Sequence, residues 1–468
     1  MFRATDGSVL GVGMVYAPAL GPVFEAGASV VAVAELEPQT LWRPVCSEGG
    51  WRYRVDEWAL NAVAALPQRK LVHGVGQPLA GTVDDPLDYR TPLRGSVDLL
   101  DPPWVSEHLG FVRTEGASGI EHAGFLLPPD RTREQIAVAA ENIDRYRRVV
   151  SRPVAFETGV DYRTARDDEL GDGVFFRGVA ERSGSGIVLD LHNLWCNEIN
   201  GRDTVRDVLA DLPLDRVWEV HVAGGDEMDG YRLDAHSGAV PGELLDLSAE
   251  VVPDLPNLRA LTFEIMPSNV ARLGLDGVHT QLERLWQIWD LRPAAPPEPF
   301  PAAVATHATA ADRAFVHRAE RDLVAALRGP GRPEAGVRLY GRLVEEQRRA
   351  QLAQVMRYTT TALLTTLGAT ATEAVIAAYT AAHPPETAPG LEGYTFSGFL
   401  AARPDLVAAV PHLRQVLAFE TALLRAALFG ASTVVEWDVD PARVLDALDG
   451  GHAPGVLEPA SYSMSVEI

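Results

Sequence analysis

Residues 217–238 read VWEVHVAGGDEMDGYRLDAHSG, and this stretch is the strongest guide to the architecture of the chain. Its first six residues are β-branched, aromatic and apolar around two polar positions, the pattern of a buried parallel strand. The strand carries His221, and the Gly- and Asp-rich loop after it carries Asp234 and His236. Two imidazoles and a carboxylate at one strand end form half of a metal site. Alone the cluster is a weak signal, because solvated loops also carry histidines.

Nearly every other predicted strand in the first 270 residues also ends in a side chain that can bind a metal. Amphipathic segments such as 133–150 lie between the strands and predict helices. About eight strands alternating with helices over about 285 residues match a (β/α)8 barrel, with a doubly wound open sheet as the alternative. The segments that contain the predicted strands are 9–12, 29–36, 70–81, 104–111, 152–162, 186–197, 217–225 and 261–269.

The distribution of these polar residues favours the barrel over the open sheet. In a barrel the carboxyl ends of all strands meet on one face, so residues far apart in sequence form one site. In an open sheet the ends of distant strands lie too far apart. The sequence therefore predicts a TIM barrel. The candidate residues at its strand ends are His73, Glu107, His108, Glu157, Asp190, His192, Asn193, His221, Asp234, His236 and Glu264.

Each candidate also has an ordinary explanation, since a single buried histidine is usually a hydrogen-bonded structural residue and a buried glutamate usually pairs with an arginine. Burying all of them together without a cation would cost several kcal/mol for each unpaired carboxylate. The set therefore predicts a site for more than one metal ion, and mixed imidazole and carboxylate ligands suit iron, manganese or zinc. Iron would indicate oxygen chemistry. Zinc or manganese would indicate a hydrolase or isomerase acting on a small sugar or phosphorylated substrate, and a peptide-binding protein without catalysis is a third possibility.

Composition restricts the partners and the compartment. The 468 residues carry a formal net charge of −23 and include two cysteines, Cys46 and Cys196. An acidic surface repels phosphate backbones, so we expect no nucleic-acid partner. We find no apolar run long enough for a membrane span and no secretory signal, so we expect no membrane association. Few cysteines suit a reducing compartment, and we expect the protein to be cytoplasmic.

A composition change near residue 292 predicts a domain boundary. Residues 292–306 are rich in proline and alanine and suit neither a helix nor a central strand. We predict the barrel at 1–291, a linker at 292–306 and a smaller, mostly α-helical domain at 307–468. Residues 432–439 in that domain are predicted as a lone strand.

The motifs of the first domain resemble the multinuclear non-haem iron-dependent oxidative enzymes, the methanobactin-oxidase-like barrels that modify ribosomally made peptides. The motifs are LVHGVG, SEHLGF, PVAFETGVDY, LDLHN, VWEVHVAGG, LDAHSGAVP and LTFEIMPSN, in this order along the chain. The resemblance implies two or three irons in mixed Fe(II) and Fe(III) states, with O2 as co-substrate. It also implies oxidation of a residue, often cysteine, in a ribosomal precursor peptide. The ligands that it implies are His73, His108, Glu157, Asn193, His221, Asp234, His236 and Glu264.

The chain departs from the family where Asp190-Leu191-His192-Asn193 stands in place of Asp-Val-Asn-Asn. We therefore count His192 as a further candidate iron ligand. We expect Glu107 and Asp190 to orient histidines or to accept protons during catalysis. The second domain resembles the helical partner proteins of these enzymes in its AAHPP (381–385) and FSGFLA (396–401) features. This resemblance implies that the C-terminal domain binds the leader segment of the precursor peptide.

Overall fold

The structure is a computed structural model that describes residues 9–27, 29–116, 119–329 and 334–467. The chain divides into two compact units, each assembled from three segments. Unit 1 comprises the described parts of Met1–Trp42, Val55–Thr114 and Leu126–Leu339. Unit 2 comprises the described parts of Arg43–Arg54, Glu115–Phe125 and Tyr340–Ile468.

Unit 1 is built on a closed barrel of parallel strands. In the described ranges, eight strands close the barrel in the order β1-β2-β5-β6-β9-β10-β11-β14, and β14 returns to β1. The predicted TIM barrel is confirmed. The strands of the whole chain are β1 Gly11–Val15, β2 Val33–Leu36, β3 Trp42–Ser47, β4 Gly50–Val55, β5 Arg69–Gly74, β6 Val105–His108, β7 Phe111–Gly116, β8 Gly119–Leu127, β9 Val154–Glu157, β10 Gly186–Asp190, β11 Val217–Ala223, β12 Asp226–Met228, β13 Tyr231–Leu233, β14 Ala260–Glu264, β15 Thr433–Trp437 and β16 Tyr462–Val466.

The strand register places several polar residues of neighbouring strands beside one another. Strand β11 is buried along its whole length, as its β-branched and aromatic residues predict. His221 on β11 lies beside Asp190 of β10 and beside Thr262 of β14. Next to β10 in the barrel, Glu157 of β9 lies beside His108 of β6. Residues more than 100 positions apart in sequence therefore meet at one end of the barrel.

Helices follow most of the strands and cover the barrel. The 133–150 prediction agrees with the observed helix α4, whose first turn is capped by the Thr132 side chain accepting a hydrogen bond from the Gln135 amide. Residues up to 329 form these helices: α1 Gly21–Glu25, α2 Glu57–Ala64, α3 Arg90–Leu100, α4 Arg133–Val150, α5 Asp172–Ser183, α6 Leu191–Ile199, α7 Val205–Asp211, α8 Gly242–Val251, α9 Pro267–Leu273, α10 Leu275–Trp289 and α11 Ala310–Arg328.

Two of the connections between barrel strands are antiparallel hairpins that the sequence did not indicate, and large parts of both belong to unit 2. The β3–β4 hairpin follows β2, and the β7–β8 hairpin follows β6. The predicted strand segment 104–111 therefore contains the end of one strand and the start of another, since β6 ends at His108 and β7 begins at Phe111. A third short hairpin, β12–β13, lies in the loop between His221 and Asp234.

Helix α11 belongs to unit 1, although it follows the predicted linker. Its Val316 is buried in a cluster with Ala137 and Val138 of α4. Its Glu320 accepts a hydrogen bond of 2.9 Å from the backbone amide of Thr82. The composition of residues 292–306 identifies a proline-rich segment. It does not show which surface the following amphipathic helix, α11, packs against.

Unit 2 has its own apolar core, which includes Met356, Tyr379 and Phe396. The strand predicted to be alone at 432–439 is instead paired, because β15 forms an antiparallel pair with β16. Two hairpins also contribute aromatic contacts to unit 2, as Phe125 contacts Tyr340 and Trp51 contacts Phe429. The helices from residue 335 onward are α12 Ala335–Val355, α13 Arg357–Leu367, α14 Ala369–Ala382, α15 Pro389–Ala401, α16 Pro404–Ala409, α17 Leu413–Phe429 and α18 Pro441–Asp449. Among the described residues, no helix combines the length and apolarity needed to cross a membrane.

Candidate metal centre

The barrel brings the predicted site residues to the carboxyl ends of its strands. Strands β5, β6, β9, β10, β11 and β14 each end in or near a metal-binding side chain, and the N-terminus of α6 and the loop after β13 supply the others. In this order the residues are His73, Glu107 with His108, Glu157, Asp190, His221 and Glu264, followed by His192 with Asn193, and Asp234 with His236.

The first group joins His73, His108 and Glu157. Oε2 of Glu157 lies 3.1 Å from Nε2 of His73 and 3.1 Å from Nε2 of His108. Nδ1 of His108 lies 2.9 Å from the carbonyl oxygen of Gly74, which can only accept a hydrogen bond, so Nδ1 carries the proton. In the neutral ring, Nε2 of His108 then presents a lone pair to a carboxylate oxygen. This contact requires a cation, either a proton or a metal ion.

The second group joins Glu157, Asp190, His221 and Glu264, which are all buried. Nδ1 of His221 lies 3.4 Å from Oε1 of Glu264 and 3.7 Å from Oε1 of Glu157. Glu157 presents one oxygen to each group. A carboxylate in this position can bridge two metal ions, one in each group.

A third set lies beside the second and is more open. Nε2 of His236 is 2.9 Å from Oδ1 of Asp234 and 3.3 Å from Oε2 of Glu264. The Asn193 amide nitrogen lies 3.3 Å from the carbonyl oxygen of Thr158, and its buried carbonyl oxygen has no hydrogen-bond partner. The side chains of His236 and Asp234 are 23% and 18% exposed, whereas Glu264 is 3% exposed. Asp234 and His236 therefore form part of the mouth of the site, whereas Asn193 is buried.

The donor atoms of the site include many buried atoms without a hydrogen-bond partner. In water-free surroundings each unpaired polar atom costs about 1–3 kcal/mol, and charged groups cost more. A set of such atoms that converge on common points fits metal ions, which satisfy lone pairs that protein donors do not reach. In the described residues these atoms are His73 Nε2, Glu157 Oε2, Asp190 Oδ2, Asn193 Oδ1, His221 Nδ1 and Nε2, His236 Nε2 and Glu264 Oε2.

The charges of the site are strongly coupled. Burial lowers the pKa of His108, but the carboxylates of Glu157 and Glu107 outweigh burial and raise this pKa to about 10. Burial raises the pKa of Glu157, but the imidazoles of His108, His221 and His73 outweigh burial and hold it well below its usual value. Burial together with the charge of Glu157 raises the pKa of Asp190 well above its usual value. Metal ions bind neutral imidazole and carboxylate, so binding here would displace protons from the histidines.

Glu107 and Asp190 occupy different positions in the site. Glu107 accepts hydrogen bonds from the backbone amides of Gln77 and His108, at 3.1 and 3.0 Å, and so holds the strand end that carries His108. Asp190 caps α6, where its Oδ1 accepts a hydrogen bond of 2.7 Å from the amide of Asn193. The other oxygen of Asp190 faces the second group without a hydrogen-bond partner. This position makes Asp190 a candidate metal ligand.

His192 lies against Asp234. Its Nδ1 is 3.2 Å from Oδ1 of Asp234, and its Nε2 is 3.7 Å from the thiol sulfur of Cys196. A Cβ atom at Gly225 would lie 2.7 Å from the same Nε2, so glycine is needed there. The ring therefore offers a proton on Nδ1 to the carboxylate of Asp234. This geometry favours a role in orienting Asp234 over direct metal binding.

We expect His192→Asn, which restores the residue usual in the resembled family, to weaken the most loosely held metal ion by about 10-fold. The shorter amide cannot reach Oδ1 of Asp234, and loss of such an orienting contact typically costs 10–100-fold in metal affinity. Titration of the metal-free protein with Fe2+ under anaerobic conditions measures the change. His279→Asn, on the outer helix α10, is the matched control. Loss of one complete equivalent of bound metal would instead identify His192 as a ligand.

Three acidic residues near the site were missed in the sequence. Glu35 on β2 and Glu219 on β11 are completely buried. Glu37 follows β2 and lies close enough to His73 and His108 to interact with their charges, although burial has the largest effect and raises its pKa. The sequence shows each of the first two as a lone glutamate inside an apolar strand, in SVVAVAEL and VWEVHV, but it does not give the direction of the side chain.

Two solved structures are similar to this chain over about 60% of its length. The chain is 11% identical to D-psicose 3-epimerase from Clostridium cellulolyticum H10, with a TM-score of 0.39 and coverage of 60% of this chain and 99% of that one. A 3-keto-D-glucoside 4-epimerase from E. coli is 12% identical, with a TM-score of 0.36 and coverage of 58% and 98%. Similarity at this level carries no argument about function.

Curated relatives are closer in sequence. A UPF0276 protein of Chromobacterium violaceum is 34% identical over 219 residues, which cover 47% of this chain and 77% of the relative. UPF0276 proteins of Streptomyces avermitilis and Caulobacter vibrioides are 33% and 32% identical, over 45% and 39% of this chain. The chain spans 47% of the length of the Streptomyces relative and 64% of the Caulobacter relative.

Residues 32–265 match the family described as RiPP precursor modification enzyme MbnB/TglH/ChrH. The matched segment is half of the chain and begins just before β2 and ends just after β14. It contains every predicted site residue from His73 to Glu264. The chain therefore belongs to the MbnB/TglH/ChrH family of RiPP precursor modification enzymes.

Proposed function

We propose that this protein uses O2 to oxidise a residue of a ribosomally made precursor peptide, with cysteine as the favoured residue, at a centre of two or three iron ions. Membership of a family of precursor-modifying enzymes supports the class of substrate. The observation that supports metal binding is the convergence of unpartnered buried oxygen and nitrogen atoms from five strand ends, the N-terminus of α6 and the loop after β13. The balance of three histidines with three carboxylates in the two inner groups suits iron and leaves no thiolate among the donors.

The residues that would hold the ions fall into the three sets described above. His73, His108 and Glu157 would hold one ion, and Asp190, His221 and Glu264 would hold a second with Glu157 between them. Asn193, Asp234 and His236 are the residues for a third. Bound iron would supply the capacity to activate O2 and to remove electrons from the substrate.

The exposure of the ligands indicates the direction from which a peptide side chain reaches the centre. His108, Asp234 and His236 have side chains 18–23% exposed, whereas His73, His221 and Glu157 are at most 3% exposed. The substrate residue therefore enters on the side of the first three residues. The buried residues on the opposite side exclude water and keep the imidazole rings in fixed orientations.

The function is tested by incubating the full chain, loaded with Fe2+, with the precursor peptide encoded beside its gene. We expect a change in peptide mass that requires both O2 and iron, detected by mass spectrometry of aerobic and anaerobic samples. Asp234→Ala should reduce the conversion, whereas Asp226→Ala in the exposed β12–β13 hairpin should not. An unchanged peptide mass with the iron-loaded protein in air would contradict the proposal. Protein that retains only zinc from iron-rich medium would support the hydrolase or isomerase alternative.

We further propose that unit 2 binds the leader segment of the precursor. Unit 2 has a separate apolar core, and none of the candidate site residues belongs to it. The sequence resemblance of residues 381–401 to partner proteins supports the same role. A leader peptide carrying a photo-crosslinker should label residues between 340 and 467 of the full chain. Labelling of Arg43–Arg54 or Glu115–Phe125 would also lie in unit 2, so only labelling confined to the segments of unit 1 would contradict this assignment.

A further inference from the structure

Two buried carboxylates, those of Glu35 and Glu219, lie beneath the candidate metal centre. Each contributes an oxygen that lies within 4.8 Å of a nitrogen of His221 and of the other carboxylate. Neither side chain is exposed to solvent. Two carboxylates in this environment require a structural or chemical role, because burying a charge without partners costs several kcal/mol.

The two carboxylates differ in their partners. Glu219 is fully engaged, since its Oε2 accepts a hydrogen bond of 3.2 Å from the Trp104 indole and its Oε1 accepts one of 2.8 Å from the Thr262 hydroxyl. Neither oxygen of Glu35 has a hydrogen-bond partner of satisfactory geometry in the described part of the chain. Its Oε2 lies 3.3 Å from Nε2 of His221, and its Oε1 lies 3.8 Å from Nδ1 of His73. Glu35 therefore faces two candidate ligands at once.

The orientation of His221 explains what these contacts can do. Its Nδ1 faces Glu157 and Glu264, the side on which a metal ion would bind. Its Nε2 faces Glu35 and Glu219. When a metal ion takes the lone pair of Nδ1, Nε2 carries a proton and needs an acceptor. A carboxylate in this position fixes the tautomer, holds the ring and makes the imidazole a stronger ligand.

His73 repeats the arrangement in the first group. Its Nε2 faces Glu157, and its Nδ1 lies 2.9 Å from the hydroxyl oxygen of Ser106 with Oε1 of Glu35 behind it. The Ser106 hydroxyl is the nearer partner, and the carboxyl group of Glu35 lies on the same side of the ring. His73 and His221 belong to different groups. Glu35 therefore contacts one histidine of each group.

We propose that Glu35 is a positioning residue that orients His221 and His73 from beneath and so stabilises metal binding in both inner groups. The proposal rests on the metal-centred function proposed above. Glu35 contacts neither substrate nor the metal-facing nitrogens, and it acts through the two histidines. Partners of this kind typically change metal affinity by 10–100-fold when they are removed.

The test compares Glu35→Gln with the parent chain. Glutamine has nearly the same shape but lacks the negative charge. We expect Fe2+ to bind 10–100-fold more weakly in competition with a chelator under anaerobic conditions. We also expect the visible absorption bands of the Co2+-loaded variant to change in position or intensity, because the imidazole ligands are reoriented. A role limited to folding would not alter these bands.

Glu320→Gln is the matched control. Glu320 is a buried carboxylate of unit 1 that accepts a hydrogen bond from Thr82, and it is not one of the candidate ligands. It should leave metal affinity and the Co2+ spectrum unchanged. Metal affinity of Glu35→Gln within twofold of the parent would overturn the proposal. Loss of one complete equivalent of metal would also overturn it, because Glu35 would then be a ligand.

A measurement on the parent chain covers the case in which Glu35→Gln does not fold. With Zn2+ bound as a diamagnetic probe, NMR of 15N-labelled histidine should find Nε2 of His221 protonated and its proton protected from exchange. An unprotonated Nε2 would overturn the proposal. These measurements concern metal binding alone, so failure of peptide oxidation with normal metal binding would contradict only the proposed function.

Discussion

Glu157→Gln is expected to reduce the affinity for the inner metal ions by more than about 100-fold, beyond the 10–100-fold that residues outside the ligand set typically contribute. The effect should be large because Glu157 takes part in both inner groups. Its Oε2 lies 3.1 Å from an imidazole nitrogen of His73 and of His108, and its Oε1 faces Nδ1 of His221. No other side chain among the candidates has donor contacts in both groups in the described structure.

The loss follows from charge as well as from geometry. An amide retains one oxygen that can bind a metal ion, but it lacks the negative charge that attracts two cations. Its NH2 group would also direct N–H hydrogens toward one of the two metal positions. We therefore expect peptide oxidation to fall below detection together with metal content. Inductively coupled plasma mass spectrometry gives the metal-to-protein ratio, and anaerobic chelator competition gives the affinity.

The control for this change is Glu420→Gln in unit 2, where the buried Glu420 accepts hydrogen bonds from the amides of Tyr358 and Thr359. This variant also removes one buried negative charge, but it should keep the metal content of the parent. If Glu157→Gln bound the same amount of metal with similar affinity, Glu157 would not link the two groups. The assignment of the inner ligands would then be wrong.

The sequence predicted the barrel, and the residues predicted at its strand ends lie close together in the structure for a physical reason. Six of the eight described barrel strands are short apolar runs that end in or near a polar residue, so the same few residues indicate both the position of the strand and its functional end. His221 on β11 and Glu264 on β14 are examples, separated by 43 positions in sequence and by 3.4 Å between donor atoms. Closure of the barrel then fixes which residues meet, without further information about side chains.

The remaining features depend on contacts that no local pattern contains. Glu35 and Glu219 lie inside strands β2 and β11. The sequence does not tell whether a polar side chain at such a position points into the barrel or toward the surrounding helices. The direction of the His192 ring depends on the β12–β13 hairpin, which places Asp234 beside it. Helix α11 has the same amphipathic pattern as the helices of unit 2, and only packing against α4 shows that it belongs to unit 1.

Asp172→Ala is expected to destabilise unit 1 by about 3–5 kcal/mol, the usual cost of removing one partner from a buried ion pair. Oδ1 of Asp172 accepts hydrogen bonds of 2.7 Å from Nε of Arg131 and 3.0 Å from a terminal nitrogen of Arg202. The side chains of Asp172, Arg131 and Arg202 are at most 4% exposed. Without the carboxylate, Arg131 would remain buried without this partner.

The pH dependence of this contribution has a definite sign. Burial raises the pKa of Asp172, but Arg131 and Arg202 outweigh burial and lower it to about 2 in the folded chain. The unfolded value is about 3.9, so the stabilisation is fully present above about pH 4 and is lost as the pH falls toward 2. The difference in unfolding free energy between the parent and Asp172→Ala should therefore be constant from pH 5 to 8 and should narrow in acid. Urea unfolding at several pH values measures it.

The matched control is Asp168→Ala, because Asp168 also pairs with an arginine, Arg166, but its side chain is 81% exposed. An exposed pair contributes about 0–1 kcal/mol, so this variant should differ little from the parent. If Asp172→Ala lost an equally small amount of unfolding free energy, the ion pairs of Arg131 and Arg202 with Asp172 would not be important for the stability of unit 1.

The same network also reaches the candidate metal centre, so Asp172→Ala should affect metal binding at the third set. Arg202 donates a hydrogen bond of 3.0 Å to the carbonyl oxygen of Arg163. The neighbouring Tyr162 hydroxyl accepts a hydrogen bond of 3.0 Å from the amide of Asp234. When Arg202 loses Asp172, the segment that holds Tyr162 is less constrained, and the loop with Asp234 loses part of its support. We expect Asp172→Ala to lose metal from the third set before the two inner groups, and uniform loss from all three would show that the effect is only global unfolding.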